Sequence, residues 1–177
     1  YDSTGIDIEQ KLASRRDKLP EYAEEYYRFL SKTVDVVGTN DRELFRVERM
    51  MDGNTLVSVY ALSKKKGKIK DRLYNREFRL DETKEIRLYG LKGKDSFKVN
   101  GQGKNGIKVR IIGGKGNDSI VDLSKVSGMG KKTVVYDRKD KNNVIIPGSE
   151  TRLKLSKKKA VNEYDRKQFK FNTPMPL

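Results

Sequence analysis

Four stretches of this chain carry the same punctuation at the same offsets, and no other feature restricts its fold as much. They are residues 33–47 (TVDVVGTNDRELFRV), 84–99 (KEIRLYGLKGKDSFKV), 108–122 (KVRIIGGKGNDSIVD) and 133–146 (TVVYDRKDKNNVII). Each opens with a strand-like run ending at a turn residue: Gly38, Gly90, Gly113 or Asp137. Five residues on stands a polar residue (Glu43, Asp95, Asp118, Asn142), and two further an apolar one (Phe45, Phe97, Ile120, Val144). Another apolar residue follows two beyond in three of the four (Val47, Val99, Ile146), with Asp122 the exception. Glycine supplies positive φ without steric cost, and Asp or Asn closes the corner by bonding nearby amides. Apolar residues two apart then share one face of a strand.

The anchors lie 52, 23 and 24 residues apart, leaving room for one unmarked unit over 55–80. Such a period fits one coil of two short strands, which buries its apolar stripe only by stacking on the next coil. The expected fold is therefore mainly β, a β-solenoid or β-roll-like stack of short strands with an N-terminal helical segment. Unrelated hairpins in a β-sandwich are the competing explanation.

Strand-like segments at 34–37, 44–47, 55–62, 72–80, 85–89, 96–99, 107–112, 119–123, 133–136 and 144–146 lie between Asn, Asp and Gly turns. Residues 6–32 instead have helical spacing, with Thr4 as a plausible N-cap and Pro20 opening a second helix. Tyr22, Tyr26, Phe29 and Leu30 form an aromatic stripe, read as core against the first β-layer. From residue 150 come a weak strand (151–155), a lysine run and a proline-containing end that read as a linker. The expected organisation is thus a helical segment over 1–32 packing on the β body, a repeat-based β domain over 33–149, and a linker over 150–177.

Composition narrows the chemistry. The 177 residues include no cysteine and no histidine, which removes disulfides, thiolate metal sites and the commonest general base. Enzymatic work would fall to carboxylates, and Asp81/Glu82, Asp41/Glu43 and Glu24/Glu25 read equally well as surface acids among lysines. No enzyme is expected. The net charge of +15 favours anionic partners, yet the runs Lys64-Lys65-Lys66, Lys131-Lys132 and Lys157-Lys158-Lys159 suit solvated faces and loop tips. Most of the nine tyrosines sit at core-like offsets, against the exposed aromatics of a nucleic-acid binder. No apolar run reaches the length of a membrane span and no signal peptide is visible, while the start at Tyr1 suits a fragment or a processed product.

Residues 113–121 (GGKGNDSIV) resemble the nonapeptide of calcium-binding β-roll repeats of the RTX, haemolysin type, and 90–98 (GLKGKDSFK) resemble it with one glycine lost. The resemblance implies Ca2+ held by the carboxylates of Asp95 and Asp118 with carbonyls of Gly93, Gly114 and Gly116. Here the nonamers are not in tandem, and Lys92, Lys94 and Lys115 set opposing charge nearby; aspartates serving the turn alone are the alternative.

A second resemblance rests on Leu19-Pro20-Glu21-Tyr22-Ala23, Val34 to Gly38, Glu82 to Gly90, Lys108 to Gly114 and Val161 to Arg166. These look like the middle region of large bacterial envelope proteins that join a calcineurin-like metallophosphoesterase domain to a C-terminal surface-antigen-type outer-membrane barrel. The phosphoesterase motifs are absent here. The resemblance implies a non-catalytic connecting domain in the cell envelope, in the periplasm or at the outer membrane, with those two domains of the parent chain as its partners. The alternative is a binding module for anionic envelope components, lipopolysaccharide phosphate or acidic glycan.

Overall fold

The computed structural model of the chain describes residues 3–63 and 67–164. The fold is mainly β with an N-terminal helix, and the chain divides into two compact units, 1–32 and 33–177. The first unit is helix α1 (Ser3–Ser31). It runs unbroken past Pro20, so the expected division into two helices does not occur, and Thr4 lies within the first turn rather than before it. Proline forfeits one hydrogen bond and strains the turn before it, which costs stability without always ending a helix. Within this unit the side chains of Tyr22, Tyr26, Phe29 and Leu30 find no cover from the helix itself and are more than half exposed.

The second unit contains β1 (Thr33–Val37), β2 (Glu43–Arg49), β3 (Thr55–Leu62), β4 (Ile69–Phe78), β5 (Glu85–Tyr89), β6 (Ser96–Lys104) and β7 (Lys108–Ile112). It continues with β8 (Ser119–Asp122), β9 (Lys125–Ser127), β10 (Thr133–Arg138), β11 (Val144–Ile146), β12 (Thr151–Ser156) and the single turn α2 (Lys159–Asn162). The first sheet has the order β1-β5-β7-β10-β12 and is parallel throughout. The second has the order β11-β8-β6-β2-β3-β4; its first four strands are parallel, and β3 and β4 add antiparallel beyond β2. Strand β9 pairs with the distal half of β6. The chain alternates between sheets, passing from β1 to β2, β5 to β6, β7 to β8 and β10 to β11.

Burial explains the alternation seen in the sequence. Val36, Ile86, Leu88, Val109, Ile111 and Val135 of the first sheet share one cluster with Phe45, Val47, Val57, Val59, Phe97, Val99 and Ile120 of the second. Phe45 and Phe97, paired in register, stack at 4.6 Å between ring centroids. Each fully buried side chain of this size contributes roughly 1.5–3 kcal/mol relative to exposure. The outer face of the first sheet carries a smaller cluster of Tyr89, Ile112, Val134 and Tyr136, on which Val161 and Tyr164 pack. Tyr164 meets the Tyr89 ring edge-on at 4.8 Å.

Two expectations are corrected. The 55–80 segment is no further unit of the repeat but the β3–β4 hairpin, which has no strand in the first sheet. The fourth unit is also one residue longer than its fellows. Ile145, not Val144, lies beside Ile120, and Val144 is 57% exposed. A one-residue shift exchanges the two faces of a strand, so reading Val144 as inward also misassigned Ile146. The expected linker from 150 begins with a strand of the first sheet, β12 along β10. The run 64–66 and the residues from 165 onward lie outside the described residues.

Candidate functional site

The four corners lie side by side. Gly38 donates its N–H to the Tyr89 carbonyl at 2.8 Å, Gly90 to Ile112 at 3.0 Å and Gly113 to Tyr136 at 3.1 Å. Beside them runs a ladder of side-chain oxygens. Asp95 Oδ1 accepts the Glu43 N–H, Asp118 Oδ1 accepts the Asp95 N–H and Asn143 Oδ1 accepts the Asp118 N–H, each at 2.9 Å. Glu43 ends the ladder by accepting from the Thr39 N–H at 3.2 Å and from the Thr39 hydroxyl. The fourth rung is Asn143, whereas the sequence pattern pointed to Asn142; the extra residue after Asp137 accounts for the difference.

Close approach explains the glycines. A Cβ on Gly90 would sit 2.6 Å from the Gly113 carbonyl oxygen and 2.7 Å from Asp95 Oδ2. On Gly113 it would sit 2.6 Å from Asp137 Oδ2 and 2.8 Å from Asp118 Oδ2. Asp137, in the place of a fourth corner glycine, thus turns its carboxylate into the column.

Asp95, Asp118 and Asp137 are at most 2% exposed, and the Oδ2 of each has no protein hydrogen-bond partner. Burial raises all three: Asp95 to about 9, with Asp118 and Glu43 as further acidic neighbours; Asp118 to about 7, with Asp137 adding; and Asp137 to about 6. Backbone N–H groups oppose each rise.

The five residues expected to bind calcium all lie in these stacked turns, but not around one point. Oδ1 of both Asp95 and Asp118 is committed to an amide. The Gly93 carbonyl abuts Gly116, and the Leu91 carbonyl abuts Gly114 while accepting from the Lys115 N–H at 2.8 Å. Calcium takes six to eight oxygens, and among the described residues no three acidic side chains gather as metal ligands. Oδ2 of Asp95 and of Asp118 are the carboxylate oxygens of this set that no protein group engages. Of the acidic pairs, Asp81 is bound by Arg79 at 2.9 Å and Glu24 by Arg28 at 2.7 Å, while Glu43 is buried and Asp41 exposed.

Pattern reading missed three features. Arg49 is 5% exposed and donates to the Ile107 carbonyl at 2.7 Å, the Lys132 carbonyl at 3.0 Å and Thr133 Oγ1 at 3.1 Å. Burial lowers it to about 10, against the attraction of Asp122 and Glu150. Its alternation with Phe45 and Val47 was the available signal, since it places a charge on an inward face. Asp122 is the second: it accepts from the Ser124 N–H and hydroxyl and from the Thr151 hydroxyl, closing the opposite corner. The third is a cavity of about 860 Å³ lined by Thr39, Asp41, Arg42 and Glu43 together with Ala61 to Ser63 of the β3 end and Lys68, Ile69, Lys70 and Leu73. No periodicity announces it.

Among the described residues, no helix is long and apolar enough to cross a membrane. Comparison of the chain with protein-family models, curated proteins and solved structures finds no match.

Proposed function

We propose that residues 33–164 form a short parallel β-solenoid that serves as a non-catalytic connecting module of a larger cell-envelope protein. The observation that carries this reading is the in-register column of corners: three glycine N–H bonds and three side-chain-to-amide bonds repeat from one layer to the next. In a stack of this kind each layer is held by its neighbours, which gives a stiff spacer with few mobile parts. Of the acids that would have to supply catalysis, Glu43 is held in the corner ladder, and Asp81, Glu82 and Glu24 by adjacent arginines. The envelope setting and the flanking phosphoesterase and barrel partners rest on the sequence resemblance alone.

The test is turnover by the isolated chain. It is expected to hydrolyse no phosphomonoester, nucleic acid or glycoside. An activity that copurifies with the chain and disappears on one substitution within it would overturn the reading.

A further inference from the structure

We propose that the groove at the β3–β4 hairpin binds a single-chain lipid with an anionic head group. The groove follows from the topology. The second sheet runs two strands past β2, whereas the first sheet ends at β1, so no strand of the first sheet lies opposite β3 and β4. Where the sheets are paired, inward side chains are covered; at the open end of the hairpin they are not. Ala61, Leu62, Ile69 and Leu73 line the resulting cavity, with Ile69 46% and Leu73 50% exposed. Its volume, about 860 Å³, lies in the range of small-molecule sites, which are mostly apolar with a few polar groups to fix orientation.

The polar groups set the sign of the ligand. Three cations, Arg42, Lys68 and Lys70, line the cavity against one exposed acid, Asp41, and neither lysine joins an ion pair among the described residues. Glu43, the buried acid on the same wall, is held by Thr39 and turned into the corner ladder. An acyl chain covers the apolar floor, and a carboxylate head answers the two ammonium groups. A purely apolar ligand would leave the lysines unanswered, and a free anion would leave the floor wet.

The probe is dodecanoate below its micellar concentration, titrated into the whole chain and followed by amide chemical shifts and calorimetry. Dodecyl maltoside supplies the same chain with a neutral head. Saturable binding is expected, with the shifts among the described residues confined to 39–43, 60–63 and 67–74. The neutral probe is expected to bind roughly tenfold more weakly. Lys68→Glu/Lys70→Glu should weaken dodecanoate roughly tenfold and leave dodecyl maltoside unchanged. Leu73→Gln should weaken both. These positions are exposed, and the amide spectrum of each variant reports whether the fold is kept. No saturable binding, shifts spread over the whole chain, or a dodecanoate affinity unchanged by the two lysine substitutions would overturn the proposal.

Discussion

Asp118 accepts the backbone N–H of Asp95 through Oδ1 at 2.9 Å, while its other oxygen, buried beside Gly113, has no protein partner. One half of the carboxylate holds the neighbouring layer, and the other half costs stability whenever it carries charge.

Amides should therefore serve the ladder better than acids at neutral pH, as Asn143 already does on the last rung. Asp95→Asn and Asp118→Asn both keep the acceptor; Asp118→Asn removes the charge that an acid raised to about 7 partly carries at neutral pH, and Asp95→Asn replaces an acid that is still protonated there. Their melting temperatures at neutral pH are expected to equal or exceed the parent value. Asp118→Ala leaves the Asp95 N–H buried and unpaired, and should cost about 1–3 kcal/mol in denaturant titration.

Stability should fall as pH rises. An acid whose pKa is raised by folding contributes fully below its unfolded value, near ~4, and that contribution is lost as pH climbs through the folded value. Asp137, Asp118 and Asp95 are raised to about 6, about 7 and about 9 in turn, so the loss extends across that range. Thermal melts from about pH 5 to about pH 9 should show a steady decline. In Asp95→Asn/Asp118→Asn the decline should flatten; a parent that gains stability over this range would refute the assignment.

The glycine corners should tolerate no side chain. Gly113→Ala sets a Cβ against two carboxylate oxygens, and Gly116→Ala sets one against the Gly93 carbonyl. Losses of about 1–3 kcal/mol or more are expected, read from denaturant midpoints. Gly5→Ala, with open space around it, is the control: a glycine in the first turn of α1 replaced by alanine should cost no stability.

Arg49 ties the end of β2 to carbonyls that precede β7 and β10. Arg49→Met keeps much of the volume but takes the Arg49 donors from the Ile107 carbonyl and Thr133 Oγ1, while the Lys132 carbonyl keeps the Val109 N–H. A loss of about 1–3 kcal/mol is expected, since a buried acceptor left unpaired is costly.

Calcium at millimolar concentration should leave the melting temperature unchanged, because Asp95 and Asp118 each have one carboxylate oxygen, Oδ1, already bonded to an amide. A ligand that binds the folded form must raise it. A marked rise would restore the ion to the turns.

Strands and corners were legible because both follow local rules: alternation for the former, glycine and short polar side chains for the latter. Gly38, Gly90 and Gly113 fell into one column as their offsets implied. Register failed where it depended on counting, at Asn143 and Ile145, since a lengthened turn is invisible until the strand finds its neighbour. The β3–β4 hairpin was taken for a layer because strand propensity does not distinguish parallel from antiparallel partners. Of the candidate site, Asp95 and Asp118 were found by type and position. Their bonding to amides was expected of corner residues; that the amide belongs to the neighbouring layer was not, because that is decided by the layer stacked against it.

The stacking itself is most directly tested by nuclear Overhauser contacts of the Phe97 ring. If layers follow one another in parallel register, that ring must contact both the Phe45 ring and the Ile120 methyl groups, 52 and 23 residues away in sequence. Contacts to neither, or to sequence-local hairpin neighbours only, would contradict the stacked arrangement and the connecting role built on it.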